Sequence, residues 1–492
     1  MPGLTAGLFT GLSGLQAHQS ALNVVGHNMA NVNTPGYARQ RADLGTLDTQ
    51  FFGGLGFGPG VTVNQIKGVR DRLLELQIFS DQARQSGTQT RYEGLEAVSA
   101  AMADEGDTGI GKQIQKLFQG FQDLSVRPED LSLRQSVVGS AQNLILTMQS
   151  RYQGLEDQRN RADTAIAGHV EEINSLTSQI AVLNQRIVGE PIPGSDSDAR
   201  DQRKLVVDRL SKLIGITVFE GSREEYQITL DSGAATLVSG LTAYSLKATR
   251  DPALNNAYRV DVLAGTATIN VTNRIADGEL GGELDLRDNL IPPYQGQLDE
   301  LAAGLASEVN LLHRTGFDFN GANLNTDFFQ GAVANGANGL PPTITAASNY
   351  KGMVNALAVN AGIVGNPRLI AAAGVANAPG DNQIARAIAG LQFKASSVDT
   401  NGDGTADTGP FSQFVGLLVS KVGSQTQGFQ AAANNQQNLV TALQNQRDRV
   451  SAVDLDEEAA LMMNYQRGYQ ASARFISVIN QLTDQLMNQF GR

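Results

Sequence analysis

The feature that most constrains this chain is a pair of amphipathic, heptad-like seams, one at each end of its 492 residues. The first seam lies within residues 4–29 and the second within residues 462–490, and seam positions recur every three or four residues. This spacing is typical of helices that pack along a narrow stripe against a partner helix. The candidate assembly residues of the two seams are Leu8, Leu15, Leu22, Met29, Tyr465, Tyr469, Ile476, Ile479 and Leu486. Such ends can pair with each other or with other chains, which indicates an assembly role more than a catalytic one.

Glycine weakens the first seam, because Gly7, Gly11, Gly14 and Gly26 all fall within it. Each glycine costs a helix roughly 1 kcal/mol relative to alanine. A helix this rich in glycine is expected to be marginal on its own in water. Two interpretations stay open: the helix needs a partner chain to remain folded, or it is a packed terminal helix whose glycines allow close approach.

A tight turn follows the first seam, in the stretch NMANVNTPGYARQR at 28–41. Proline and glycine at its second and third positions predict a type II turn. Arg39 and Arg41 come directly after it, as a basic contact patch or as two solvated side chains. The candidate assembly residues of the turn are Asn31, Thr34, Pro35, Gly36 and Tyr37.

The periodicity along the chain predicts an α+β protein, with a long helical-bundle or coiled-coil domain built from both ends and an inserted β-rich outer domain. Gly215 is expected to cap the last helix of the first helical block, and Asp454 with Glu457 predicts a capping-box-like start for the last helix of the chain. The predicted segments are the axial helix and Gly-rich loop 1–68, the helical tube domain 69–215, the β-rich outer domain 216–289, a returning helix 290–315, a loop-rich continuation of the outer domain 316–410, a helical segment 411–454 and the C-terminal axial helix 455–492.

Composition excludes several classes of protein. The net charge of −12 without basic blocks argues against nucleic-acid binding, since phosphate recognition needs clustered Lys and Arg. The absence of cysteine removes disulfides and thiolate chemistry. No stretch approaches the roughly 20 apolar residues of a membrane span, and the N-terminus has no signal-peptide pattern. We therefore expect no membrane partner and, unless another export route applies, a cytoplasmic protein.

Catalytic and metal-binding motifs are weak. The Gly-rich run 51–60 lacks both the GxGxxG spacing and the Lys-Ser/Thr of a phosphate loop. Asp399, Asn401 and Asp403 occupy positions 1, 3 and 5 of a calcium loop, but position 12 is Pro410 instead of a bidentate Glu. That stretch is a weak calcium candidate or a plain surface turn. The sequence predicts no enzyme, no cofactor and no firm metal site.

Three blocks carry a resemblance to a known family. ANVNTPGYARQ at 30–40 and LDEEAALMMNYQRGYQASARFIS at 455–477 resemble the terminal motifs of bacterial flagellar axial proteins. Together with the block at 278–321, they identify the chain as similar to the hook-associated protein 1 family. The resemblance covers essentially the whole chain and is least clear at 322–410.

This resemblance implies a structural protein at the junction between flagellar hook and filament. It implies as partners the hook protein, the second junction protein (hook-associated protein 3), further copies of the chain in a homo-oligomeric ring, and a flagellar export chaperone. It also implies an extracellular location, reached through the flagellum's own export apparatus without a cleaved signal peptide.

Other interpretations remain at this point. Another axial subunit, from hook or rod, would share the terminal motifs, although the long helical block at 69–215 argues against it. An adhesin displayed on the outer domain is a second alternative. A cytoplasmic coiled-coil scaffold would explain the two seams, but it would not explain the turn at 34–37 or the β-rich segment.

Overall fold

A computed structural model describes residues 2–490 apart from 49, 53–54, 59, 105, 191–195, 266, 332–349 and 399–406. Its helices are α1 Pro2–Ala30, α2 Arg72–Met102, α3 Ile110–Val126, α4 Leu131–Val188, α5 Ser197–Leu213, α6 Gly278–Asp285, α7 Pro292–His313, α8 Met353–Ala356, α9 Ala361–Gly365, α10 Gln383–Gly390, α11 Phe411–Ser451 and α12 Leu455–Phe490. Its strands are β1 Gln40–Thr46, β2 Gln50–Phe52, β3 Leu55–Phe57, β4 Val61–Gly68, β5 Ile216–Glu220, β6 Tyr226–Leu230, β7 Thr236–Ser239, β8 Thr242–Ala243, β9 Ser245–Asp251, β10 Ala257–Ala264, β11 Ala267–Asn270, β12 Phe329–Gln330, β13 Ala358–Val359, β14 Ser396–Val398 and β15 Asp407–Gly409. Long helices with small inserted antiparallel sheets confirm the predicted α+β class.

The first of two compact units combines both ends of the chain with a central piece, in the segments Met1–Gly87, Ala167–Gly281 and Asn434–Arg492. In it α1 packs against α12, and the antiparallel pair β1–β4 lies on α1. Ala21, Val24 and Ala42 form a small core there, with Tyr465 at its edge. The two chain ends are therefore built into one body.

Two antiparallel sheets occupy the central piece of this unit. Strands β5 to β8 pair in sequential order, and β9, β10 and β11 form a three-stranded sheet. Asp196 caps α5, its carboxylate accepting a hydrogen bond from the Ala199 backbone N–H at 3.0 Å. The prediction that Gly215 caps this helix is wrong. The cap residue is Ile214 in extended conformation, and the Gly215 N–H donates instead to the Asp277 carbonyl.

The second unit, Thr88–Ile166 with Gly282–Ala433, has the larger apolar core. Phe118 and Phe121 of α3 are fully buried in it, because the apolar residues of that helix recur on a single face. The core extends to α7, α10 and the first part of α11. The described residues of 316–410 lie in this unit, whereas β5 to β11 lie in the first.

A proline separates the long helix α4 from the helix before it. It runs unbroken over the 58 residues Leu131–Val188. Pro128 precedes it, in the short connection that follows α3. Proline cannot continue a helix, so α3 and α4 are separate although their apolar patterns follow each other closely.

Candidate assembly site at the joined chain ends

Gly7, Gly11 and Gly14 of α1 lie against α12. A Cβ atom on Gly11 would come within 2.7 Å of the Ile476 side chain, and one on Gly7 within 3.2 Å of Ile479. Farther along, Gly468 of α12 makes room for the His18 ring. Because α1 positions pair with progressively earlier α12 positions, the helices are antiparallel. The glycines thus allow the two helices to approach closely within one chain.

The predicted seam residues are buried to different extents on the two helices. On α12, Tyr465, Tyr469, Ile476, Ile479 and Leu486 are all half-buried. On α1 two fully buried residues directly precede candidate residues, Ala21 before Leu22 and Asn28 before Met29. Leu15, Leu22 and Met29 are half-buried and Leu8 is exposed.

Large apolar side chains remain uncovered on this helix pair. Leu8, Phe9 and Leu12 are exposed on α1, with Phe9 65% accessible. Phe475 and Val478 are exposed on α12, as are Leu482 and Met487 farther along it. We call these seven residues the exposed apolar surface. An apolar surface of this kind on a folded protein marks a place where a partner packs.

The predicted type II turn is present at Thr34–Tyr37. The Tyr37 N–H donates to the Thr34 carbonyl at 3.2 Å, and Gly36 has a φ of +77°. A Cβ on Gly36 would also lie 2.5 Å from the Leu205 side chain of α5. Glycine is therefore favoured here by backbone conformation, and any larger residue would also have to displace the Leu205 side chain.

A buried amide organises the chain around this turn. Asn28, only 1% exposed, accepts hydrogen bonds at Oδ1 from the Tyr37 hydroxyl at 2.8 Å and from the Gln40 N–H at 2.9 Å. Its Nδ2 donates to the Gln40 carbonyl and to Glu458 of α12. Burial raises the pKa of the Tyr37 hydroxyl, and the negative charges of Asp198 and Glu458 raise it further. Tyr37 is therefore a neutral hydrogen-bond donor at all ordinary pH values.

Arg39 joins the turn to the start of α12. Its Nε donates to Glu458 at 2.7 Å and its Nη1 to Glu457 at 2.8 Å, while its backbone N–H donates to the Ser451 carbonyl. The Glu457 bond is the largest of the effects that raise the pKa of Arg39. Glu458 is fully buried, so this pair is desolvated on the carboxylate side.

Arg39 is thus neither a solvated side chain nor a free contact patch. Arg41 is exposed, and its side chain has no hydrogen bond or ion pair among the described residues. Asp454 accepts hydrogen bonds from the Asp456 and Glu457 N–H groups, as a helix cap does. The Glu457 side chain turns to Arg39 instead of closing a capping box. Glu457 and Glu458 were not among the predicted site residues, although an acidic triplet opening α12 and an arginine after the turn are complementary in charge.

A cavity of about 210 Å³ lies beside the turn. Its lining includes Thr34 and Gly36 from the turn, Ser451 to Val453 from the connection between α11 and α12, and the buried side chains of Glu75 and Lys204. Burial lowers the pKa of Lys204, an effect that the charge of Glu75 opposes. The cavity thus has one buried charge of each sign in its lining.

Within the described residues, no group of three or more His, Asp or Glu side chains is arranged to hold a metal ion. The weak calcium candidate, Asp399 with Asn401 and Asp403, lies outside the described residues, between β14 and β15. The search of the described helices for one long and apolar enough to cross a membrane found none.

Comparison with known families gives matches in three parts of the chain. Residues 95–329 match the family described as the flagellar hook-associated protein FlgK helical domain. Residues 8–37 match the flagella basal body rod protein family, and residues 444–489 match the C-terminal family of flagellar basal body rod FlgEFG proteins. The two terminal matches contain most of α1 and α12.

Relatives named flagellar hook-associated protein 1 match along almost their whole length, whereas a hook protein matches over a short stretch. Flagellar hook-associated protein 1 of Escherichia coli K12 is 28% identical over 97% of this chain and 98% of its own. The protein of the same name from Bacillus subtilis 168 is 24% identical over 99% and 98%. The flagellar hook protein FlgE of Treponema pallidum is 49% identical over only 9% of each chain. The solved structure of the flagellar hook junction protein FlgK from Burkholderia pseudomallei shares the fold, with a TM-score of 0.66 at 18% identity, over 76% of this chain and 100% of that one.

Proposed function

Because this chain belongs to the flagellar hook-associated protein 1 family, we propose that it is the structural protein joining the flagellar hook to the filament, assembled through its two terminal helices. The observation that carries this function is the full-length match to hook-associated protein 1, with a helical-domain match flanked by two axial-protein matches. Similarity to hook proteins covers only 9–10% of the chain, which favours a junction subunit over a hook subunit. The role is structural, not enzymatic.

The exposed apolar surface supplies the free energy for assembly. Covering a large apolar side chain completely is worth about 1.5–3 kcal/mol. Several such residues on one helix pair are enough to offset part of the cost of immobilising a subunit. The half-buried seam residues, Leu15, Leu22 and Met29 on α1 with Tyr465 and Tyr469 on α12, are proposed to complete this interface between neighbouring subunits.

The turn at 34–37 and Arg39 set the direction of the helix pair. Asn28 and Arg39 bind the start of α12 while the turn packs on Leu205, so both terminal helices leave the body of the first unit from one fixed point. A subunit with a fixed helix direction can repeat the same contact around a ring. Asn31 and Thr34, hydrogen-bonded to each other at 3.1 Å, stiffen the same turn.

The proposed partners are the hook protein on one side, hook-associated protein 3 on the other, and further copies of this chain in a ring. Before export a flagellar chaperone would cover the apolar face of α12. The protein would then leave the cell through the flagellar export apparatus, without a cleaved signal peptide, and function outside it.

Electron microscopy of purified hooks tests this function. Full-length protein is expected to cap hook ends, and a variant lacking residues 1–40 and 455–492 is expected not to. Failure of the full-length protein to bind hooks would overturn the junction role. Capping by both proteins would leave the junction role standing and show that the terminal helices are not the assembly elements.

A further inference from the structure

Sulfur in this chain belongs to methionine alone, because the sequence contains no cysteine. Met102, Met148 and Met353 are at most 3% exposed and lie in the apolar core of the second unit. Met29 and Met462 are half-buried. Because a thioether must meet its oxidant in solution, the three core methionines react only when the fold opens around them.

Two further methionines are exposed, and both lie on α12. Met463 is 54% accessible and Met487 is 63% accessible, so an oxidant reaches these side chains without any opening of the fold. Met487 belongs to the exposed apolar surface, whereas Met463 does not. Among the described residues, the most exposed methionines are therefore on one of the two terminal helices, and one of them lies in the surface that a partner would cover.

Met487 lies beyond the part of α12 that packs on the glycines of α1. Ile479 is the α12 residue beside Gly7, and Met487 follows it by eight residues, or about two helical turns. The helix continues past Met487 to Phe490. In the free chain this thioether is open to solvent, and a partner packed on the exposed apolar surface would cover it.

Hydrogen peroxide converts a methionine side chain into its sulfoxide. A lone pair of the sulfur attacks one peroxide oxygen, the O–O bond breaks as the S–O bond forms, and the second oxygen leaves as water with both protons. The sulfur loses two electrons and the peroxide gains them. An apolar side chain thereby becomes polar. Covering the sulfoxide oxygen with an apolar partner surface leaves it without a hydrogen-bond donor, which opposes binding.

We infer that Met487 is an oxidation site that controls assembly, at which a peroxide acts on the free subunit and the resulting sulfoxide weakens the packing of α12 on its partner. The inference rests on the proposed function, because it takes the exposed apolar surface as the assembly interface. Once that surface is covered, the same packing shields the sulfur from the oxidant. Met463 lies outside the surface, so its oxidation leaves assembly unchanged.

Peptide mass spectrometry of the full-length protein after graded exposure to hydrogen peroxide locates the reactive sites. Met463 and Met487 should be oxidised first. Met102, Met148 and Met353 should react at least about tenfold more slowly, because each needs a local opening of the core. Met487 should also react more slowly in protein already bound to hook ends than in the free chain. Equal rates at Met487 and the core methionines, or in bound and free protein, would overturn the inference.

Hook capping by oxidised protein tests the effect on assembly. After peroxide treatment the unmodified chain should need about tenfold higher concentration to cap hooks, the factor equivalent to the burial of one large apolar side chain. Met463→Leu should show the same loss. Met487→Leu, compared with its own untreated form, should show none. Methionine sulfoxide reductase with a dithiol should restore capping, since the thiols supply two electrons, become a disulfide and release the oxygen as water.

The untreated protein separates this inference from the proposed function. Untreated protein that fails to cap hooks defeats the junction role, whatever peroxide does. Untreated protein that caps hooks, and caps them equally well once Met487 is a sulfoxide, defeats only the oxidation site. A loss of capping that persists in Met487→Leu also defeats it, because another residue is then responsible. Helix content and melting temperature should stay unchanged on oxidation, and a fall in either would mean unfolding instead of a blocked surface.

Discussion

Arg39 Nε lies 2.7 Å from the Glu458 carboxylate, joining residues 419 positions apart in the sequence. The carboxylate is fully buried and also accepts a hydrogen bond from Asn28. The start of α12 is therefore held by the residues that follow α1. The turn after α1 therefore serves to join the two ends of the chain.

Arg39→Met should loosen the start of α12. Removing one partner of a buried ion pair costs about 3–5 kcal/mol, because the remaining charge stays buried. Since Arg39 retains some solvent exposure, we expect the lower end of that range. Hydrogen exchange of the first turns of α12 should accelerate accordingly. Arg41→Met is the matched control, expected within about 0.5 kcal/mol of the unmodified chain, and equal exchange in both variants would contradict the role of Arg39.

Gly11→Ala should destabilise the pairing of α1 with α12, although alanine is the better helix former. The new Cβ would lie 2.7 Å from Ile476, and overpacking typically costs about 1–3 kcal/mol. Gly26→Ala in the same helix meets nothing within 4 Å and should stabilise it by up to about 1 kcal/mol. Chemical denaturation followed by helix content measures both. A stabilising Gly11→Ala would show that the helices do not pack this closely.

Gly36→Ala should disturb the turn through two separable effects. The φ of +77° disfavours alanine by about 1–2 kcal/mol, and the Leu205 side chain would have to shift to admit a Cβ. Adding Leu205→Ala should relieve the steric part and leave the conformational part. Melting temperatures of the single and double variants measure this partition. If the double variant loses as much stability as the losses of the two single variants added together, Leu205 does not obstruct the alanine side chain.

Lowering the pH should change the stability of the second unit through two buried groups, one of which destabilises it in acid while the other stabilises it. Burial lowers the pKa of His313 to about 4, so neutral His313 contributes stability that is lost as pH falls below its unfolded value of 6.5. Burial raises the pKa of Asp299 to about 6, so its ionisation costs stability that is regained as pH falls from about 6 towards 3.8. Each effect is on the order of 3 kcal/mol, and they largely cancel.

His313→Gln should remove the loss of stability that protonation of His313 causes in acid. The variant is less stable than the unmodified chain at pH 7, because the histidine accepts a hydrogen bond from the Ala371 N–H and lies 2.8 Å from the Thr326 carbonyl. The difference should shrink by about 3 kcal/mol between pH 7 and pH 4. Calorimetry at a series of pH values measures it. A difference independent of pH would mean that His313 titrates normally.

Phe9→Ser with Val478→Ser should separate folding from assembly. Both side chains are exposed, so the stability of the isolated chain should change by no more than about 0.5 kcal/mol. Hook capping should nevertheless be lost, because the apolar surface that drives it is gone. Phe393→Ser removes an exposed aromatic from the other unit and is the control. Normal capping by the double variant would exclude this surface from the interface.

The sequence by itself determined the α+β class and the type II turn, and it marked Ile476 and Ile479 of α12 as seam residues. The turn is a local property, since only Pro35 and Gly36 are needed to specify it. The α12 pattern selects large residues of which Ile476 and Ile479 lie against Gly11 and Gly7 of α1, and Tyr465 packs beside Ala21.

Only the tertiary structure decided which face of α1 is buried. The pattern of large apolar residues selects Leu8, Leu15 and Leu22, but the helix turns Gly7, Gly14 and Ala21 towards its partner. The bulky side chains of α12 leave space for small residues only. The glycines of α1 allowed for such close packing, but α1 alone did not decide between that interpretation and a partner chain. The Arg39–Glu458 pair and the cavity beside the turn were likewise decided by tertiary structure, because their residues are far apart in the chain and meet only when both chain ends fold into one unit.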